Sequence, residues 1–201
     1  MLAPAKKTRL IRDLKNYKKK FLDRNLAELD ESGTRLMINS FLSDVLGYLP
    51  IEEIRTEYMI KGTYADYVIQ SNGVRHFLVE VKALSLELSE RHLRLTINYG
   101  ANEGIEWALL TNGKSFKLYK ILFNKPIESR QVFSIDLSDA SSLKQSAELI
   151  QYLHRDSVFK KGLKYLWNKC ESLDPWNIAN IIYSKEVLNA IKKIIKTKYG
   201  E

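Results

Sequence analysis

The sequence contains few of the residues that build disulfides or thiolate metal centres. It has one cysteine, Cys170, and three histidines among 201 residues. A single thiol cannot form an internal disulfide, and structural zinc sites and iron–sulfur clusters need several cysteine or histidine ligands. The composition therefore excludes such centres held by this chain alone. Any metal is expected to be bound through oxygen atoms.

Long apolar runs are also missing. The sequence has no run of about 18 apolar residues, the length needed to cross a bilayer. Its first residues, Met1 to Lys7, lack the apolar segment of a secretory signal. With 45% hydrophobic residues the chain is long enough for one ordinary domain with a core. These features predict a cytoplasmic protein without a membrane span.

Acidic residues are scarce at the N terminus, where most of the net charge of +8 is concentrated. Residues 1–24 contain nine basic and two acidic side chains. Apolar residues recur at helical spacing from Leu10 to Leu26, which predicts a basic amphipathic helix from about Thr8 to Leu29. Two compatible interpretations of this arm, residues 1–29, remain open: its apolar stripe docks on the domain, or its basic face contacts DNA phosphates. The candidate phosphate contacts in the arm are Lys18, Lys19 and Lys20.

The rest of the chain divides into an α/β part, residues 30–136, and a helical appendage, residues 137–201, which we expect to pack on the core. A helix is predicted to begin within Asp30–Thr34 and to end at Gly47, and another to end near Gly104. Alternating apolar runs predict strands at Ile54–Ile60, Thr63–Gln70, Val74–Lys82, Trp107–Thr111, Phe116–Phe123 and Val132–Ile135, with a turn at Lys61–Gly62. Helical spacing predicts the C-terminal helices Leu143–Leu153, Val158–Trp167, Pro175–Tyr183 and Glu186–Lys198.

Three charged residues interrupt the apolar hairpin formed by the second and third strands. These are Asp66, Glu80 and Lys82. A charge inside a sheet must be paired or must hold a metal, because removing an unpaired ion from water costs several kcal/mol. Glu80 and Lys82 are two residues apart on one strand and so point to the same face.

The register of this hairpin decides whether Asp66 can join them. A regular two-residue loop at Asn72–Gly73 would place Asp66 opposite Val79, on the face away from Glu80. A shared site therefore requires a three-residue loop, Ser71–Gly73, or a β-bulge.

Two carboxylates beside an ammonium are typical of phosphodiester hydrolysis. Carboxylate oxygens suit Mg²⁺, which keeps water and substrate phosphate as its other ligands. A neighbouring lysine can orient a metal-bound water or help to deprotonate it. The spacing alone is equally consistent with a surface ion pair of Lys82 with Glu80 or Asp66.

A longer series of motifs resembles a known family. The series is Glu31-Ser-Gly-Thr-Arg35, Phe41-Leu42, Leu46-Gly-Tyr48, Ala65-Asp-Tyr67, Leu78-Val-Glu-Val-Lys82, Asn98 to Trp107 and Leu110-Thr-Asn-Gly113. In this order it resembles the N-terminal nuclease domain of type I restriction enzyme R subunits, within the PD-(D/E)xK superfamily. The resemblance implies an α/β, restriction endonuclease-like core with a mixed central sheet flanked by helices, to which the basic N-terminal helix and the C-terminal helical appendage are added.

The resemblance also implies roles for individual residues. Asp66 and Glu80 would bind Mg²⁺ or Mn²⁺, Lys82 would activate water, and Glu31 would complete the acidic site. Tyr99 would belong to the Gln-x-x-x-Tyr element of the helix after the core strands, although Leu95 stands where the family has Gln. The candidate DNA contacts outside the arm are Tyr99, Arg94 and Arg35.

These observations predict a Mg²⁺-dependent DNA endonuclease of restriction or phage-defence type. Two alternatives remain open: a nuclease-fold DNA-binding module with weakened catalysis, and an interaction subunit of a larger defence complex whose basic arm meets an acidic partner. The expected partners are DNA and either a second copy or other subunits of such a system.

Overall fold

The computed structural model describes residues 2–24, 29–60 and 63–200. Contacts divide the chain into two compact units, Met1–Leu163 and Lys164–Glu201. Within the described ranges no helix is long and apolar enough to span a membrane.

The first unit is built on a six-stranded sheet formed by the described residues. Its strands are β1 Ile54–Ile60, β2 Thr63–Ser71, β3 Val74–Val81, β4 Trp107–Thr111, β5 Ser115–Leu122 and β6 Glu128–Asp136. They lie side by side in chain order; β3 and β4 are parallel, and every other neighbouring pair is antiparallel. The expected mixed central sheet is therefore confirmed. The predicted turn at Lys61–Gly62 lies outside the described residues.

Helices flank this sheet. They are α1 Pro4–Tyr17, extended by a π-helical turn Lys18–Leu22; α2 Glu31–Ser40, extended by a π-helical turn Phe41–Val45; α3 Arg94–Glu103, preceded by a 3₁₀ turn Glu90–Leu93; α4 Leu143–Ile150; and α5 Arg155–Val158. Helix α6, Gly162–Ser172, begins just before the boundary between the units, and α7 Pro175–Ile182 and α8 Lys185–Tyr199 belong to the second unit. The basic N-terminal helix and the C-terminal helices are thus confirmed.

Some boundaries differ from those predicted. Helix α1 begins at Pro4 rather than Thr8, because proline suits the first turn of a helix, and its helical turns end at Leu22. Residues 25–28 of the predicted continuation to Leu29 lie outside the described residues. The segment predicted as one helix from Val158 is divided by Lys161, whose φ of 60° is incompatible with a continuous helix. The first compact unit, Met1–Leu163, includes α1, α4 and α5 together with the sheet.

The apolar stripe of α1 packs against the rest of the first unit. Leu10, Leu14 and Tyr17 are buried, and the Tyr17 hydroxyl donates a hydrogen bond of 2.8 Å to the carbonyl oxygen of Gly113. The α1 lysines Lys6 and Lys7 form ion pairs with Asp156 and Glu148 respectively. The docking interpretation of the arm is therefore confirmed, and part of its positive charge is neutralised within the fold.

The β2–β3 hairpin has the bulge that the shared site requires. Its two-residue turn uses Asn72 and Gly73 at φ values of 47° and 75°, as tight hairpin turns do. Ser71 pairs with Val74, but beyond the turn Ile69 pairs with Phe77, so His76 is the extra residue of a bulge. Tyr67 then lies opposite Val79. The alternation of side chains places Asp66 and Glu80 together on the other face, which confirms the register expectation.

Candidate active site

The charged residues singled out in the sequence meet at the end of the two central strands. Asp66 lies on β2, Glu80 lies near the end of β3, and Lys82 follows β3 directly. The backbone N–H of Lys82 donates a 2.9 Å hydrogen bond to the carbonyl oxygen of Thr111 in β4, which fixes the strand end. Helix α2 brings Glu31 from its first turn, where Asp30 caps the helix by accepting a hydrogen bond from the N–H of Gly33.

Asp66 is the most buried member of the cluster, with 8% of its surface exposed. Its Oδ2 atom accepts a 2.7 Å hydrogen bond from the backbone N–H of Val81. Its Oδ1 atom forms an ion pair with the guanidinium of Arg35 on α2. Asp66 is therefore held by one strand and one helix at once.

Lys82 connects the other two carboxylates. Its Nζ atom lies 2.6 Å from Oε1 of Glu80 and 3.4 Å from Oε2 of Glu31. The side chains of Lys82 and Glu80 are only 18% and 15% exposed. The ion pair of Lys82 with Glu80 that the spacing allowed is therefore present, but it does not lie at the surface: it belongs to a half-buried cluster that also contains Asp66 and Glu31.

Thr96 on α3 is a site residue that the sequence analysis did not identify. Its hydroxyl donates a 2.8 Å hydrogen bond to Oε2 of Glu80, and the residue is 2% exposed. Leu95, which stands in the place of the family glutamine, is 63% exposed. The polar contact that α3 makes with the site therefore comes from Thr96, one residue after Leu95. The helical spacing of buried Leu93, Thr96 and Tyr99 is the signal that could have identified it.

Tyr99 was predicted to contact DNA, and its position is incompatible with that role. It is 3% exposed and packs in a core cluster with Ala65, Val68, Leu78 and Ile105. Helix α3 lies against the sheet through this side chain, so Tyr99 supports the site by packing.

The other predicted DNA contacts lie in different surroundings. Arg94, Lys19 and Lys20 are exposed. Lys18 forms an ion pair with Asp23. Arg35 is not a free surface cation, since it is paired with Asp66 and also lies 3.3 Å from Oε1 of Glu31.

Burial acts against the charged forms of Asp66, Glu80 and Lys82. It raises the pKa of Asp66 above its usual value, although the Val81 amide, Arg35 and Lys82 act in the opposite direction. It also raises the pKa of Glu80, against the hydrogen bond and charge of Lys82. Burial lowers the pKa of Lys82, but the hydrogen bond to Glu80 and the surrounding carboxylates outweigh it, so the pKa of Lys82 is raised. Lys82 therefore stays protonated at neutral pH.

The donor atoms fit a hard divalent cation in type. Asp66, Glu80 and Glu31 offer carboxylate oxygens, the ligands that Mg²⁺ prefers. They are not arranged as a ready cage: among the described residues, no three aspartate, glutamate, histidine or cysteine side chains form a group that could hold a metal ion. Arg35 and Lys82 lie between the carboxylates instead. A metal would have to compete with these two cations for the carboxylate oxygens.

A mixed sheet with an acid-x-lysine pair at the end of a central strand, and a second acid on the adjoining hairpin strand, defines a restriction endonuclease-like core. The family model of the type I restriction enzyme R protein N terminus matches residues 30–131. The chain belongs to this family.

Comparison with solved structures gives one similar chain to report. It is a chain of the DrdV–DNA complex determined by cryo-electron microscopy, with a TM-score of 0.48 and 18% sequence identity. The similarity covers 72% of this chain and 14% of that one. No curated protein sequence matches the chain.

Proposed function

We propose that this chain is a Mg²⁺-dependent endodeoxyribonuclease of restriction type. The observation that supports the proposal most directly is the convergence of Asp66, Glu80 and Lys82, which come from two strands into one half-buried cluster. Membership of a restriction enzyme family adds DNA as the expected substrate.

The proposed mechanism assigns a role to each side chain. Asp66 and Glu80 would hold the metal, and Glu31 would complete its acidic surroundings. When bound, Mg²⁺ would lower the pKa of a coordinated water and neutralise charge on the scissile phosphate. The protonated Nζ of Lys82 would orient the attacking water by hydrogen bonding. Thr96 would fix the carboxylate of Glu80 through its 2.8 Å hydrogen bond.

DNA would be held by the exposed basic residues of the first unit. Lys19 and Lys20 of the arm and Arg94 at the start of α3 are the candidates, because exposed cations can neutralise phosphates and release counterions. The family name places such domains at the N terminus of a restriction enzyme R protein. We therefore propose that the chain acts with other subunits of a restriction system or with a second copy.

A second candidate is a DNA-binding module with weakened catalysis. The observation that favours it is the occupation of the carboxylates by Arg35 and Lys82, together with the exposed Leu95 in place of the family glutamine. This module would bind DNA with the salt dependence expected of the nuclease, but it would cleave DNA weakly or not at all.

Plasmid cleavage separates the two candidates. We expect the wild type to nick or linearise supercoiled plasmid with Mg²⁺ or Mn²⁺ and to stop when EDTA is added. Glu80→Gln should lose this activity, while Glu87→Gln, a matched change at an exposed glutamate, should keep it. Salt-dependent DNA binding without cleavage by any of these proteins, under all metal conditions, would leave the binding module as the function.

A further inference from the structure

Arg35 lies between two carboxylates that the proposed function assigns to a metal. Its Nη2 atom is 3.3 Å from Oε1 of Glu31 and is ion-paired with Oδ1 of Asp66. Its backbone carbonyl oxygen accepts a 2.9 Å hydrogen bond from the Tyr67 hydroxyl, which anchors this turn of α2 to β2. The backbone of Arg35 is therefore fixed, while its side chain is one-third exposed.

The net charge of the cluster explains how Arg35 would affect the binding of a divalent cation. Glu31, Asp66 and Glu80 carry three negative charges, and Arg35 and Lys82 carry two positive ones, which leaves one net negative charge. If the Arg35 side chain leaves, the cluster has two net negative charges, which a divalent cation balances. While it stays, its charge lies within a few ångströms of the incoming ion and opposes it.

The two cations of the cluster differ in how they are held. Lys82 lies on the strand that carries Glu80 and is only 18% exposed. Arg35 projects from a helix and reaches the cluster with the end of a long side chain. A guanidinium forms paired hydrogen bonds with phosphate as well as with carboxylate, so a DNA phosphate is a suitable alternative partner.

We propose that Arg35 is a displaceable counter-cation that couples DNA binding to metal binding. In the DNA-free chain it neutralises Asp66 and Glu31 and weakens metal binding. On DNA it transfers to a backbone phosphate and leaves these oxygens to the metal. The inference rests on the proposed function and adds its regulation: a chain without DNA holds the metal weakly. The coupling is reciprocal, so metal must strengthen DNA binding by the same factor.

Titration calorimetry with Mg²⁺ on the DNA-free protein tests the first half. We expect Arg35→Gln to bind Mg²⁺ about tenfold more tightly than the wild type, within the usual range of coupling between sites. Arg35→Lys retains the charge, and Arg55→Gln removes a matched charge from an exposed position on β1, so both should stay near the wild type. Thermal unfolding without metal checks that each variant is folded.

The second half is tested on the wild type first and then on Arg35→Gln. Fluorescence anisotropy with a short labelled duplex, in EDTA and in Ca²⁺, should show tighter DNA binding with Ca²⁺ in the wild type. Arg35→Gln should lose most of this gain. Two results would overturn the role of Arg35 and leave the metal site in place. One is an equal Mg²⁺ affinity in the wild type and Arg35→Gln, and the other is a wild-type DNA affinity that the cation does not change. Failure of every protein to bind a divalent cation, with and without DNA, would instead overturn the proposed function.

Discussion

The hydroxyl of Thr96 and the Oε2 atom of Glu80 are joined by a 2.8 Å hydrogen bond. The bond links helix α3 to the end of β3 and leaves Oε1 of Glu80 to Lys82. Both carboxylate oxygens thus have a donor, as a half-buried carboxylate requires. Thr96 is therefore a positioning residue for Glu80.

Replacing Thr96 by valine tests this role with almost no change in shape. The loss of a buried hydrogen bond to a charged group should lower the free energy of unfolding by about 1–3 kcal/mol. Because Glu80 would no longer be fixed, Mg²⁺ affinity and the single-turnover cleavage rate should also fall. Thr96→Ser, which retains the hydroxyl, should recover the affinity and rate. A valine variant with lower stability and unchanged Mg²⁺ affinity would limit Thr96 to packing.

Lys82→Met should separate chemistry from metal binding. The ammonium is not a ligand and repels a cation, so Mg²⁺ affinity should be retained or increased. Cleavage should fall by about 100-fold or more, since Lys82 would no longer orient the attacking water. Calorimetry and single-turnover cleavage measure the two effects. Lys144→Met, at an exposed position on α4, should change neither, and parallel losses of affinity and cleavage in Lys82→Met would contradict the assigned role.

The basic arm should contribute to DNA binding through its solvent-facing lysines. Deleting residues 1–24 is a poor test, because it would also remove Leu10, Leu14 and Tyr17 from the core. Changing Lys15, Lys19 and Lys20 to Gln keeps the core. The plot of log affinity against log salt should become shallower by about 0.9 for each lost phosphate contact.

Lys6 and Lys7 provide the matched control for the arm. Both lie on α1 but are ion-paired with acidic side chains of the same unit. Changing both to Gln should leave the salt slope near that of the wild type. If the slope of log affinity against log salt were also unchanged in the triple variant, the arm would serve packing alone.

A buried ion pair at the start of β1 predicts a pH dependence of stability. Glu53 accepts hydrogen bonds from Arg155 at 2.7–2.9 Å and from the backbone N–H of Leu49 at 3.1 Å. Burial raises the pKa of Glu53, but these hydrogen bonds and the charge of Arg155 outweigh it, so the pKa is lowered. The pair therefore stabilises the fold above the pKa of unfolded glutamate, and this contribution is lost as the pH falls towards the lower folded value.

Glu53→Gln removes that contribution. Urea unfolding at neutral pH should show a loss of about 3 kcal/mol, the lower end of the range for breaking a buried pair, because Arg155 is one-third exposed. As the pH falls below the pKa of unfolded glutamate towards the lower folded value, stability should fall less steeply in the variant than in the wild type. Equal slopes in this window would show that Glu53 is not the group responsible. Glu52→Gln, at the exposed neighbouring residue, serves as control.

Local sequence patterns predicted the sheet well. The bounds of β1 and β4 agree with those expected, because alternating or continuous apolar runs ended by turn residues determine a strand locally. The shared face of Asp66 and Glu80 also followed from the sequence, once the site was assumed to require a bulge. That requirement came from chemistry, since nothing in the apolar pattern identifies His76 as the extra residue.

The contacts made by the helices were beyond local prediction. Arg35 and Thr96 reach the acidic cluster from α2 and α3, and their partners depend on how these helices pack on the sheet. Tyr99 was predicted to contact DNA because it occupies the tyrosine position of the Gln-x-x-x-Tyr element, whereas the packing of α3 buries it in the core. In each case the residue type can be read from the sequence, but the residues that it contacts in the fold cannot.

The single parallel pairing among the described strands, between β3 and β4, has a consequence for the order of assembly. On each side of it lies an antiparallel three-stranded meander, β1–β2–β3 and β4–β5–β6, whose contacts are close in the chain and fast to form. The seam between the meanders joins Leu78–Val81 to Ala108–Thr111 and closes a much longer loop. Glu80 and Lys82 lie at this seam, whereas Asp66 and Glu80 are brought together within the first meander alone. The hydrogen bond from the N–H of Lys82 to the carbonyl oxygen of Thr111 crosses the seam, so the seam adds a fixed strand end beside a carboxylate pair that the hairpin already supplies.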